Sequence, residues 1–274
     1  MQILRYRSFA TSHGGGNPAG VVLDSSGLSA DQMLTVAADV GYSETAFLTP
    51  ISEREYQIRY FSPEAEVDFC GHATVAASIA IAETVSGVGD LLLHTKVGPI
   101  EVSVHDSDAG LTATLTSVVP KTAELRKLPE LLGLLDWDES DLDPNLPAGL
   151  AFAGLWHPIV WARTRERLAE LDYDFTGLKE LMRSQGWGTV SLLFRESGSL
   201  IHSRNAFAVG GVVEDPATGA AAAALGGYLR SHDRLPADGR FSVRQGEDMG
   251  QPCLLEVDAS GLGGVQVGGL ATSI

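Results

Sequence analysis

Residues 73–85, ATVAASIAIAETV, are apolar nearly all round and read as a helix. A helix with no polar face has to be buried on every face. No apolar run in the chain reaches the roughly 18 residues that a membrane span needs. Burial must therefore come from other elements of the same chain wrapped around this helix. A second stretch, ATGAAAAALGGYLRSH (217–232), reads the same way. The Ala-Thr pairs at 73–74 and 217–218 are offset by 144, and the prolines of Asn17-Pro18-Ala19 and His157-Pro158-Ile159 by 140. Two landmarks at nearly one offset point to a duplicated fold; chance similarity between two Ala-rich helices is the competing reading. Duplication would give an α+β protein of two pseudo-symmetric domains, each a curled, mostly antiparallel sheet around a central helix.

The elements between these helices fit that plan. Strands are expected at 1–9 and 20–24 around a Gly-rich turn from His13 to Gly20, with GGG at 14–16 as a flexible loop. Residues 29–40 read as a helix with Ser29 as N-cap and Gly41 as stop. Strands 43–50 and 55–63 follow, each ended by proline. Two strands are expected over 91–119, and a short helix with a loop over 120–148, taken as a linker and the opening of the second half. That half repeats the order: a strand at 150–163, a helix within 165–184, strands at 188–195 and 199–209, the helix at 217–232, then two or three closing strands. The domains are read as 1–118 and 119–274, the last strand being free to return to the first.

Composition narrows the function. The 274 residues carry 19 Lys+Arg against 35 Asp+Glu, a net charge of −16. Such a surplus repels nucleic-acid phosphates and anionic lipid, so neither nucleic acid nor membrane is expected as a partner. Two cysteines make no disulfide scaffold, and neither they nor the seven histidines show metal-site spacing. The N-terminus lacks the apolar core of a signal peptide, which makes the cytoplasm the default location. GGG lacks the Lys-Ser/Thr of a P-loop; no GxGxxG opens a helix there, and no GxSxG elbow appears.

The chemistry-bearing residues cluster at the two helix starts. Asp68-Phe69-Cys70-Gly71-His72-Ala73-Thr74 and Glu214-Asp215-Pro216-Ala217-Thr218-Gly219-Ala220 both open apolar helices with small residues. Free N–H groups and the helix dipole at such ends favour a bound anion. The plainer reading is that Asp68 or Asp215 simply caps its helix. Glu44 enters the apolar segment Ser43-Glu44-Thr45-Ala46-Phe47; loss of water there would favour its protonated form and suit it to acid–base work, unless it is a solvated strand-edge residue. His72 reads as a proton relay or anion donor, or as a helix-start hydrogen-bonding residue. Cys70, just ahead of its helix, is placed to form a thiolate. The second helix start has no matching cysteine, so Cys70 reads rather as a small packed residue.

Taken in order, GNPAGVV (16–22), SETAF (43–47), FSPEAEVDFCGHATVAA (61–77) and GVVEDPATGAAAAALGGYL (211–229) resemble the PhzF-like phenazine-biosynthesis isomerases. That family belongs to the diaminopimelate epimerase-like superfamily. QGEDMGQPCLLEV (245–257) is similar to its closing segment. The resemblance implies two pseudo-symmetric α+β domains with the site between them, no metal and no organic cofactor, and a homodimer. It implies isomerisation by a proton shift on a small carboxylate; the best-understood family activity acts on trans-2,3-dihydro-3-hydroxyanthranilate. By resemblance Glu44 is the acid/base, with His72 and Asp215 as further catalytic residues. Ser43, Gly71, Thr218, Gly219 and Ala220 would hold the substrate, the backbone at both helix starts taking its carboxylate. Ala220 replaces the usual serine after Thr-Gly, and Cys253 replaces a serine of the closing segment. Two alternatives stand: an amino-acid racemase or epimerase using Glu44 or Cys70 with Asp215 as second base, and a non-catalytic binding or interaction protein of the same fold.

Overall fold

A computed structural model describes residues 1–11 and 14–274. The expected turn from His13 thus begins outside the described residues. The chain divides into two units: Met1–Thr116 with Gly268–Ile274, and Ser117–Val267.

The first unit contains β1 (Leu4–Ser8), β2 (Asn17–Val22), α1 (Ala30–Val40), β3 (Glu44–Ser52), β4 (Glu55–Phe61), β5 (Glu66–Val67), α2 (Gly71–Ile81), β6 (Gly89–Thr95), β7 (Gly98–Ser107) and β8 (Gly110–Thr116). The second contains β9 (Lys121–Ala123), α3 (Leu128–Leu134), β10 (Gly149–Phe152), β11 (Trp156–Trp161), α4 (Arg165–Ala169), α5 (Phe175–Gln185), β12 (Val190–Arg195), β13 (Leu200–Ala206), β14 (Glu214–Asp215), α6 (Gly219–Ser231), β15 (Arg240–Gln245) and β16 (Cys253–Asp258). The last strand, β17 (Gln266–Ser273), runs into the first unit.

In the first unit the sheet closes on itself. β1–β2, β3–β4, β6–β7 and β7–β8 are antiparallel, β2–β3 and β4–β6 are parallel, and β17 pairs with both β8 and β1. Helix α2 lies against β1, β2, β3, β7 and β8, and every residue from His72 to Ile81 is buried. An eight-stranded ring is only just wide enough inside for side chains. A helix fits there because most of its side chains are small: Gly71, Ala73, Thr74, Ala76, Ala77, Ser78 and Ala80. Three local bonds serve its polar groups: Thr74 Oγ1 donates to the Cys70 carbonyl at 2.7 Å, the Tyr60 hydroxyl reaches Thr74 Oγ1 at 2.6 Å, and Ser8 Oγ donates to the His72 carbonyl at 2.6 Å, while the buried Ser78 Oγ has no hydrogen-bond partner among the described residues. Burial pushes the Tyr60 hydroxyl well above the ordinary phenol range, so it stays a neutral donor.

The second unit repeats the pairing list. β10–β11 is antiparallel, β11–β12 parallel, β12–β13 antiparallel, β13–β15 parallel and β15–β16 antiparallel, with β14 on β13 as β5 is on β4. Helix α6 takes the place of α2, buried from Ala221 to Leu229. Pro18 and Pro158 fall on corresponding strands, β2 and β11. The Ala-Thr landmark does not correspond in the same way: Ala73 and Thr74 lie inside α2, whereas Ala217 and Thr218 precede α6. The helices themselves start at Gly71 and Gly219.

Several element boundaries differ from the sequence reading. Residues 91–119 hold three strands, because Lys96 and Val97 turn β6 back into β7 with Gly98 at φ 121°. Residues 150–163 hold two, turned at Gly154 with φ 106°. Pro50 does not end β3, which runs on through a register irregularity to Ser52. Helix α1 keeps its expected ends: Ser29 and Gln32 form a capping box, and Gly41 adopts φ 71°.

Close packing around α6 depends on missing side chains. A Cβ on Gly227 would stand 2.2 Å from Pro120 Cβ, and one on Gly226 2.9 Å from Val265 Cγ1. Gly227→Ala should therefore destabilise the protein by about 1–3 kcal/mol through overpacking, despite alanine's better helix propensity. Urea titration should show a lower midpoint at unchanged slope; an unchanged or raised midpoint would refute the packing argument.

Candidate active site

Helices α1, α4 and α5 are capped by side chains: Ser29, Thr164 and Asp174 each accept a first-turn backbone N–H. The short α3 instead has proline in its first turn. The two central helices differ. Cys70 at the start of α2 and Thr218 at the start of α6 make no side-chain capping bond. Asp68 is not a cap; its side chain is 77% exposed and 4.0 Å from Lys96 Nζ. Asp215 is engaged elsewhere, as described below. Uncapped first turns leave N–H groups without intrahelical partners, so Gly71, Gly219 and Ala220 each present backbone where an anion is favoured.

Around the start of α2 the fold gathers four side chains on one imidazole, that of His72. β3 begins at Glu44, whose Oε2 lies 3.3 Å from His72 Nε2; their side chains are 19% and 6% exposed. Glu44 is thus a mostly buried carboxylate rather than a solvated edge residue. Ser43 Oγ is 3.4 Å from the same Nε2, so its contact is with His72. Asn17, at the head of β2, places its side-chain amide 3.3 Å from His72 Nδ1. Asn17 thus stands on the Nδ1 side of the ring and Glu44 on the Nε2 side. Cys70 Sγ is 3.3 Å from Nδ1 and 3.9 Å from Nε2. The cysteine read as mere packing is therefore in contact with the central histidine.

The start of α6 is organised differently. Thr218 Oγ1 donates to Asp215 Oδ2 at 2.6 Å. Gln245, 1% exposed at the end of β15, ties the group together. Its Nε2 donates to the Asp215 carbonyl at 2.6 Å and to Thr218 Oγ1 at 3.0 Å, and its Oε1 accepts the Thr218 N–H at 3.2 Å. Gly246 makes this approach possible: it holds φ 76°, and a Cβ there would lie 2.3 Å from the Gln251 carbonyl and 2.9 Å from that of Pro216. Gln245 and Asn17 were not singled out from the sequence, although both lie in strings that carry the family resemblance. Cys253 is buried and donates to the Gln251 carbonyl at 3.2 Å.

The profile of the phenazine biosynthesis-like proteins matches residues 6–274. The chain belongs to the PhzF family. An uncharacterized isomerase of Deinococcus radiodurans is 36% identical, over 96% of this chain and 90% of its own. The trans-2,3-dihydro-3-hydroxyanthranilate isomerase of Pseudomonas aeruginosa is 29% identical, over 93% of this chain and 89% of its own. Among solved structures, a PhzF-family protein of Bacillus anthracis superposes with a TM-score of 0.88 at 24% identity, covering 100% of this chain and 98% of its own. A hydroxyproline epimerase of Agrobacterium vitis shares the fold at a TM-score of 0.65 and 14% identity, over 100% of this chain and 90% of its own. With its relatives named as isomerases, the chain is placed as a PhzF-family isomerase.

Within this PhzF-family chain the duplicated strands carry different chemistry. The residue after the shared proline is Ala19 in one unit and Ile159 in the other; their parallel-strand partners are Glu44 and Ser191. The carboxylate position of the first unit is thus a serine in the second, bonded to Asn205 Oδ1 at 2.8 Å. Likewise Asn17 corresponds to His157, which is buried against Thr189. Loss of water pushes His157 down to about 4. The unfolded chain therefore binds a proton below pH ~6.5 that the folded chain refuses until about pH 4. Its contribution to stability is complete above pH ~6.5 and is lost as the pH falls, by roughly 3 kcal/mol in all. His157→Gln should flatten the stability profile between pH 6.5 and 4 relative to wild type. Parallel profiles by chemical denaturation would show that His157 does not titrate in this way.

Proposed function

We propose that this protein is a cofactor-independent isomerase that moves a proton on a small carboxylate substrate by acid–base catalysis. The observation that carries this reading is the Glu44 carboxylate set against His72 Nε2 at the uncapped start of a buried helix. In the proposed reaction Glu44 takes a proton from one substrate carbon. The electron pair left behind spreads into the adjoining conjugated acid, and the Glu44 proton is delivered to another carbon. Nothing is oxidised or reduced overall, so the step calls for no redox partner. His72 orients the carboxylate through Nε2–H and stabilises its charge; Asn17 holds the ring in that tautomer. Fixed N–H dipoles, including that of Gly71, stabilise the developing negative charge without reorganising.

Asp215 is proposed as a further proton-handling group, and Ser43, Thr218, Gly219 and Ala220 as substrate-binding residues. Support for the latter comes from the uncapped first turn of α6 and from the Gln245 bonds that fix Thr218. Ala220 can act only through its backbone. A second reading, an amino-acid epimerase with Cys70 as a base, is favoured by one contact, Cys70 Sγ against His72 Nδ1.

The test is solvent deuterium uptake. Trans-2,3-dihydro-3-hydroxyanthranilate and a panel of small amino and unsaturated acids are incubated in D₂O with wild type and Glu44→Gln, then read by mass spectrometry and NMR. Wild type should incorporate deuterium into at least one compound. Glu44→Gln, with an unchanged melting temperature, should be slower by about 100-fold or more, the usual worth of a general acid–base group. Equal rates in the two proteins would remove Glu44 from the mechanism. Deuterium at an allylic carbon marks isomerisation, and inversion at a stereocentre marks epimerisation.

A further inference from the structure

His202 lies on β13, only 7% exposed, and each of its ring nitrogens faces a carboxylate. Nδ1 is 2.9 Å from Glu247 Oε2, and Nε2 bonds Glu196 Oε2. A neutral imidazole carries one ring proton and would set a bare lone pair against one of these two oxygens. Only the imidazolium donates to both. The bond from His202 also holds the Glu196 carboxyl below its usual range, which keeps that group ionised.

The surrounding charges agree. Glu196 comes from the hairpin between β12 and β13, and the Phe194 ring stands 6.3 Å from the imidazole. β15 contributes Arg244, the register partner of His202, whose charge acts on Glu196. Helix α4 contributes Arg165, whose Nη2 lies 2.9 Å from Asp248 Oδ1 and 3.8 Å from Glu247 Oε2. Glu196, Glu247 and Asp248 thus outnumber the two guanidinium groups by one. A charged His202 balances that excess, and a neutral one leaves it between two glutamates.

The turn that carries Glu247 continues directly from Gln245. Residues Glu247–Met249 form a single helical turn, closed by the Met249 and Gln251 N–H groups on the Gly246 carbonyl at 3.3 and 2.9 Å. Side chains alternate along a strand, so Arg244 stands beside His202 and Gln245 on the opposite face. There Gln245 accepts the Thr218 N–H and donates to the Asp215 carbonyl, with the Gly246 backbone close against the carbonyl of Pro216.

We propose that His202 is a positioning residue: as the imidazolium it clasps Glu196 and Glu247 together, and so seats the turn that sets Gln245 on the start of α6. The hold is complete where the ring is protonated and is lost as rising pH removes the proton to solvent. Its value for substrate binding at Thr218, Gly219 and Ala220 rests on the acid–base reading above; the clasp itself does not.

The test follows the Thr218 N–H by hydrogen exchange in the full chain without substrate, as a protection factor from about pH 5 to 8, where an ordinary histidine changes charge. In wild type the protection should fall by about 3- to 10-fold toward the alkaline end, the worth of one ordinary hydrogen bond. His202→Gln should show the lower value throughout. Glu247→Gln should keep the higher value throughout, because its amide can donate to Nδ1 while a neutral ring donates from Nε2 to Glu196. The Leu178 N–H, bonded to the Asp174 carbonyl in α5, reports general loosening and should hold steady in all three proteins. Nitrogen NMR of the ring should show both nitrogens protonated at the acid end. The proposal is overturned if Thr218 protection in wild type is flat with pH, if Glu247→Gln titrates as wild type does, or if Leu178 changes in step with Thr218. Because no substrate is present, failure here leaves the deuterium test standing, and failure of the deuterium test leaves the clasp standing.

Discussion

A helix enclosed on every side can meet a ligand only at an end, and the chemistry of the first unit follows from that constraint. The ring leaves α2 no exposed flank, so its interior polar groups must find partners inside. Tyr60, Ser8 and the Cys70 carbonyl serve Thr74 and His72 in this way, and the buried Ser78 Oγ goes without one among the described residues. The start of the helix is where this internal accounting stops. There the backbone N–H groups lack a capping side chain, and an imidazole, a carboxylate, a thiol, a hydroxyl and an amide converge. Enclosure also explains composition: a ring of eight strands accepts a helix only if the helix is thin, and small residues, alanine foremost, make it so.

Duplication supplied two such helix starts, and they have diverged in kind. In the first unit a carboxylate and a thiol lie against the imidazole of His72. In the second, Gln245 binds Thr218 and the Asp215 carbonyl in a closed set of hydrogen bonds, and Ser191 stands at the strand position that holds Glu44 in the first. A serine bonded to a buried asparagine carries no charge and needs no counter-group. The duplicated scaffold thus keeps its strand pairings while changing what the equivalent positions can do.

Local signals made some features legible and left others hidden. Helix α1 could be read with both ends because Ser29, Gln32 and Gly41 act within a turn of themselves. The enclosure of α2 was legible from composition, since no other arrangement buries so apolar a helix. The turn at Lys96-Val97 is only two residues long and its glycine, Gly98, already pairs within the next strand, so two strands read as one. The Ala-Thr pairs misaligned the two helices because small residues mark a tight environment, whereas a helix start is a matter of backbone geometry. Glu44 and His72, which the structure brings into contact, both stand in short motifs. Their partner Asn17 lies 55 residues from His72, and Gln245 lies 27 from Thr218. Contacts of that range leave no periodic trace in a single sequence. The contact of Cys70 with His72 depends on a rotamer, which spacing cannot show.

The strand that completes the first ring has a consequence for the life of the chain on the ribosome. β17 follows the whole second unit in sequence, yet it pairs with β1 and β8. Until it emerges, β1 and β8 present open edges, and the central helix of the first unit lies behind a gap in its wall. Vectorial synthesis therefore delivers the sequence of the second unit before the first can close. An unfinished chain would expose the apolar helix and two unpaired edges together, a combination prone to wrong pairing.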